Sequence, residues 1–119
     1  MFGAADRLHR RTEFLRIQRQ GARFQADHFV IYAARLPESE AVRLGITVSR
    51  RLGKAVIRNQ VKRRIRECFR LSLRQKLPAG TAIVIIGRAR AGTLEMKSVM
   101  GELDRAIAKV APGLTQDHD

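Results

Sequence analysis

The sequence predicts an α+β domain: an α-β-β-β-α-β-α-like two-layer sandwich, with a mostly antiparallel sheet and a long basic helix after a hairpin. Three observations carry this expectation. The runs Phe29–Leu36 and Val42–Ser49 read as strands on either side of the turn-like Pro37-Glu38-Ser39-Glu40. Apolar residues between Ala55 and Gln75 recur with helical period. Thr81–Gly87 is almost continuously apolar, as a strand interior to a sheet should be.

Each element has a local reason. Thr12 stands as an N-cap before Glu13–Gln20, Glu13 supplies a first-turn acid and Gly21 follows as a stop. A helix of two turns gains little from propensity, so Phe14 and Ile17 must hold it by packing. In the first long strand Phe29, Ile31 and Ala33 oppose Val30, Tyr32 and Ala34. In the second, Leu44, Ile46 and Val48 oppose Arg43, Gly45, Thr47 and Ser49. On the long helix Ile57, Val61, Ile65, Cys68, Phe69 and Ser72 form a buried stripe. Pro78-Ala79-Gly80 ends it. Thr93 is placed to cap a last helix striped by Met96, Val99, Met100, Leu103, Ile107 and Val110, ending before Pro112-Gly113. One domain is expected over residues 1–119, ordered from about 7 to 111 and frayed over 112–119.

Charge narrows the function. Of 119 residues, 24 are Lys or Arg and 11 Asp or Glu, a formal net charge of +13. Between Ala41 and Leu94 stand 14 basic residues and one acid, Glu67, so the whole excess lies in mid-chain. A polyanionic partner is expected. The N-terminal Met-Phe-Gly-Ala-Ala-Asp is not expected to be a secretory signal, and no apolar run approaches a membrane span. The single Cys68 excludes an intramolecular disulfide and a thiolate metal cluster.

Arg58, Lys62, Arg66 and Arg70, at i, i+4 spacing, place cations about 6 Å apart along a helix, close to the phosphate spacing of a strand. Arg50, Arg51, Lys54 and Arg63 extend the charge, and Asn59 offers a donor and an acceptor to a 2′-hydroxyl or base edge. The plainer reading, a solvated basic face, weighs less because these like charges repel unless an anion compensates them. Cys68 is expected to be an inert core thiol, His9, His28 and His118 ordinary surface or half-buried histidines with no partner at metal-ligand spacing, and Glu102 and Asp104 acids on a polar helix face that form surface pairs. No catalytic or metal-ligating residue is singled out.

Arg58-Asn59-Gln60-Val61-Lys62-Arg63, just after Gly53-Lys54-Ala55-Val56, resembles the signature of the bacterial ribonuclease P protein subunit. Glu13-Phe14, Phe29-Val30-Ile31-Tyr32 and Ile85-Ile86-Gly87-Arg88 extend the likeness over nearly the whole chain. The resemblance implies a non-catalytic protein cofactor of an endoribonuclease that removes the 5′ leader of precursor tRNA. The catalytic RNA subunit would do the chemistry with Mg²⁺ that it mainly holds itself. One cytoplasmic monomer per RNA is implied, without membrane attachment. It places Phe14, Tyr32, Arg16 and Ser49 in a cleft for the leader. A second aromatic, common in the family one turn after the first, is Gln18 here, with Phe24 a nearby substitute. A ribosomal or other structural RNA-binding protein is the alternative. A DNA-binding regulator fits less well, lacking a short recognition helix after a tight turn.

Overall fold

Phe14, Ile17 and Gly21 share one face at helical spacing, and the first element follows from that: α1, Arg11–Gln20, with Ile17 buried. The computed structural model describes residues 11–36 and 40–115. His9, His118 and most of the expected turn at 37–40 lie outside them. The Gly21 N–H donates to the Ile17 carbonyl at 2.8 Å. A Cβ on Gly21 would stand 2.6 Å from the Ala33 carbonyl oxygen, so the absent side chain lets α1 turn closely onto the sheet.

Among the described residues the sheet has four strands, β1 (Ala22–Gln25), β2 (Phe29–Arg35), β3 (Arg43–Val48) and β4 (Thr81–Gly87), in the order β1-β2-β4-β3. The expected hairpin between the second and third strands does not form. β4 lies between them, antiparallel to β2 and parallel to β3. β4 is the most completely apolar strand, and a strand buried on both faces belongs where both edges are paired. The hairpin that does exist joins β2 to the short β1. Two of the three pairings are antiparallel, as expected.

Strand alternation divides the core. Phe29, Ile31, Leu44, Ile83 and Ile85 face a helical layer made by α2 and the last helix. Ala34, Ala82 and Val84 face α1 on the other side, with Ile17 between them and Phe14, Tyr32 and Ile86 at the margin. The main sandwich is two-layered, and α1 covers part of its back.

α2 runs from Ala55 to Cys68, continues through a wide π-type turn at Phe69–Leu73 and closes as α3, Arg74–Lys76. A π turn advances fewer degrees per residue than an α turn. It therefore swings Leu73 back onto the apolar face, where Cys68, Phe69 and Leu73 are all fully buried. The last helix, α4, spans Met96–Thr115 and passes through Pro112, beyond its expected end. Pro112 lies in the closing turn of the helix, where few backbone bonds remain to be lost. Buried Leu114, whose carbonyl accepts from Arg35 Nη1 at 3.1 Å, holds that turn down. Thr93 does not cap α4. Its hydroxyl donates to the Arg90 carbonyl at 2.8 Å within the preceding turn, Ala91–Thr93.

Candidate nucleic-acid interface

Ser49 follows β3 and organises the turn after it. Its Oγ accepts the Arg51 N–H at 3.0 Å, opening the single turn Arg50–Leu52. Leu52 is the buried member of that turn, so Arg50 and Arg51 are left exposed. Gly53 closes it at φ 132° and ψ −157°, a conformation essentially confined to glycine. Lys54 then begins α2, whose first turn has neither a side-chain cap nor an acid. A helix N-terminus already carries partial positive charge. Three cations gathered there favour an incoming anion.

Along α2, Arg58, Lys62 and Arg66 are half-buried, while Asn59 and Arg63 are exposed. At 100° per residue Arg58 lies between Val61 and Phe69 in projection, so its stem is drawn against the apolar face. Its Nε is covered and has no hydrogen-bond partner. Arg64 and Arg70 are engaged within the protein. Arg64 Nη1 donates to the Leu94 carbonyl at 2.7 Å, tying α2 to the segment before α4. Arg70, expected to continue the phosphate-binding row, is engaged through two nitrogens by Glu67. That bond holds the Glu67 carboxyl below its ordinary range, with desolvation opposing.

The opposite sheet face carries the second feature. Phe14 and Tyr32 are half-buried against the same small core. Phe14, not Tyr32, also lines a groove of about 440 Å³ between α1 and β3, with Arg11, Leu15, Gln18, Ile46 and Thr47. An ion pair between Arg43 Nη1 and Glu13 Oε2 at 2.9 Å anchors α1 to β3. The structure thus brings Phe14 and Tyr32 together. Arg16 falls about 200° round α1 from Phe14, and Ser49 is committed to its turn, so neither lines the groove. Phe24 packs against the main core, on the wrong face to replace the aromatic that Gln18 lacks.

Sequence pattern does not single out Arg23, yet the fold sets it at this site. It pairs with Tyr32 across β1 and β2, donates from Nε to the phenol oxygen at 3.1 Å, and stands 5.8 Å from the ring centroid. Only strand register reveals this, and β1 is too short and polar to be recognised from pattern. Thr47, in the groove, precedes Arg50 by three residues, so groove and basic turn lie within roughly 10 Å along the chain.

Several carboxylates are committed elsewhere. Glu102, expected at the surface, is buried and accepts the His28 backbone N–H at 2.6 Å. Its other oxygen lies 2.8 Å from Nδ1 of His28, an ordinary half-buried histidine as expected. Asp104 accepts from Ser72 Oγ at 2.8 Å and pairs with Lys76 Nζ at 3.0 Å. Cys68 is buried as expected, and desolvation, with some help from Asp104, pushes its thiol up to about 12. Among the described residues no group of three or more His, Cys, Asp or Glu side chains is placed to hold a metal, and no helix is long and apolar enough to cross a membrane.

A family model described as Ribonuclease P matches residues 2–111. The ribonuclease P protein component of Geobacillus thermodenitrificans is 38% identical over 115 residues, covering 93% of this chain and 94% of the relative. That of Desulforapulum autotrophicum is 38% identical over 110 residues, covering 92% of each. Among solved structures, the Staphylococcus aureus RNase P protein superposes with a TM-score of 0.80 at 34% identity, covering 89% of this chain and 97% of that one. The Thermotoga maritima RNase P protein gives 0.76 at 32% identity, covering 87% and 96%.

Proposed function

The chain belongs to the ribonuclease P protein family, and from that membership we propose how its two faces divide the work of tRNA 5′ maturation. As the protein component of that ribonuclease, its partners are the RNA subunit and the tRNA substrate. Arg50, Arg51, Lys54, Arg58, Asn59, Lys62, Arg63 and Arg66 bind the catalytic RNA, the cations on phosphate and Asn59 on a sugar or base edge. Arg70 contributes less, because Glu67 holds its guanidinium. The groove lined by Phe14, together with Tyr32 on the same sheet face, takes unpaired bases of the leader by stacking, which tolerates any sequence. Arg16 and Ser49 lie outside the groove lining and support it indirectly.

The protein itself is a non-catalytic cofactor in this reading. RNA-held Mg²⁺ supplies the metal-assisted chemistry. The chain's cations replace part of the ion atmosphere where two RNAs approach. One monomer per RNA acts in the cytoplasm. The observation that carries the reading is the cationic track from Arg50 through Arg66, uninterrupted by any acid and joined at Thr47 to the groove. A structural RNA-binding protein would share the track but would restore no processing.

Reconstitution tests it. The protein, mixed with a bacterial ribonuclease P RNA at low Mg²⁺, should raise cleavage of a precursor tRNA well above that of the RNA alone, and without the RNA it should cleave nothing. No stimulation across a Mg²⁺ titration, or cleavage by RNA-free protein that survives stringent nuclease controls, would overturn the assignment.

A further inference from the structure

Val56 is out of place for a residue that only builds a helix. It is 72% exposed, more than Leu15 and Leu71, the other exposed large hydrophobics among the described residues. As the second residue of α2 it is β-branched, which lowers side-chain freedom in a helix without any burial to offset it. The packing at this turn is done by its neighbour Ile57, whose side chain lies beside Gly53 and Gly92. Val56 instead projects between Asn59 and Gln60, with Arg63 two turns further along the same line. Exposed Arg50, Arg51 and Lys54 precede it, and the helix's first turn has no acid.

We propose that Val56 is a direct RNA contact, its methyl groups closing on a ribose or base face of the catalytic RNA while the flanking cations hold the phosphates on either side. This inference rests on the reading of α2 as the surface for that RNA. A second copy of the chain does not fit the position, because its own cations would meet these. A polynucleotide does fit. It alternates phosphates with apolar sugar and base faces, and an apolar knob among cations matches that alternation. Such a contact has a signature that phosphate pairing lacks: it releases no counterions, so it contributes to affinity without contributing to the salt dependence.

Binding of a bacterial ribonuclease P RNA transcript, titrated over a range of KCl, separates the two. Val56→Ala should bind roughly ten-fold more weakly, the loss expected for apolar groups leaving a contact, with the slope of log affinity against log salt unchanged. Val56→Thr, which keeps the shape and replaces a methyl by a hydroxyl, should also weaken binding at constant slope. Arg63→Ala, in contrast, should flatten the slope by about 0.7–0.9. Both Val56 variants should melt at or near the wild-type temperature or above it, since the side chain is exposed and alanine is the better helix former. Wild-type affinity in both variants would overturn the proposal. So would a flattened slope, or a loss confined to precursor tRNA with the catalytic RNA bound normally. Failure of the wild-type protein to bind the catalytic RNA would bring down the parent reading, and this one with it.

Discussion

Gly53→Ala and Gly113→Ala are chemically the same change and should move the protein in opposite directions. At Gly53 the backbone stands at φ 132° and ψ −157°, and forcing an L side chain there costs on the order of 1–3 kcal/mol. The new Cβ would also lie 3.1 Å from Ile57 Cδ1, a tight contact that the flexible end of that side chain can relieve, so backbone conformation dominates. At Gly113, inside the last turns of α4, a Cβ meets nothing within 4 Å. There the exchange should gain about 0.5 kcal/mol from helix propensity. For a domain of this size each kcal/mol moves the melting temperature by about 3–6 °C. Thermal melts should therefore show Gly53→Ala lower by roughly 3–18 °C and Gly113→Ala higher by roughly 2–3 °C. The function should follow the turn. Gly53 aims Arg50, Arg51 and Lys54 at the start of α2, so Gly53→Ala should bind the catalytic RNA more weakly well below its melting temperature. If Gly53→Ala melts with the wild type and binds RNA normally, this turn makes no backbone demand that only glycine can meet.

Replacing Arg58, Lys62 and Arg66 together by Ala should flatten the salt dependence of RNA affinity by about 2–3, at roughly 0.7–0.9 per lost phosphate contact, and an unchanged slope would show a merely solvated face. Leader stacking predicts that Tyr32→Ala loses about 1–3 kcal/mol of precursor tRNA binding while mature tRNA binding holds. Because Tyr32 is half-buried, that variant needs a melt beside it, and Tyr32→Phe, which keeps the ring and gives up only the Arg23 bond, should retain most of the precursor preference. If Tyr32→Ala folds and still prefers precursor tRNA by the wild-type margin, Tyr32 is not a leader contact. Burial raises the Cys68 thiol from 9.0 to about 12, so the fold favours the protonated form. Its stabilising contribution is complete below pH 9 and lost as pH rises towards 12. Alkylation at pH 8 should accordingly be slow in the native protein and fast in urea, and rapid native labelling would contradict the burial.

Much of this protein is legible without coordinates because its signals are local. Period-two alternation places Leu44, Ile46 and Val48 on the core side of β3, and helical period places Val61, Ile65 and Cys68 under α2. Thr81–Gly87 declares a central strand by composition alone. The concentration of cations in mid-chain and the Gly53-to-Arg63 motif mark the candidate interface for the same reason, since charge and turn geometry are properties of short segments.

The features that only the folded chain decides concern partners far apart in sequence. Alternation is blind to which edge a strand will pair, so the placing of β4 between β2 and β3 had to come from burial of both its faces. Register set Arg23 against Tyr32, and the packing of α4 against the β1–β2 turn brought Glu102 inward to meet His28, 74 residues away. The same holds for the interface. Composition reveals the excess of cations, whereas three-dimensional neighbours determine that Arg64 is engaged by the Leu94 carbonyl and Arg43 by Glu13; only the Arg70–Glu67 pair, three residues apart, is local. Residue type decides what a side chain can bind, and tertiary structure decides what it meets.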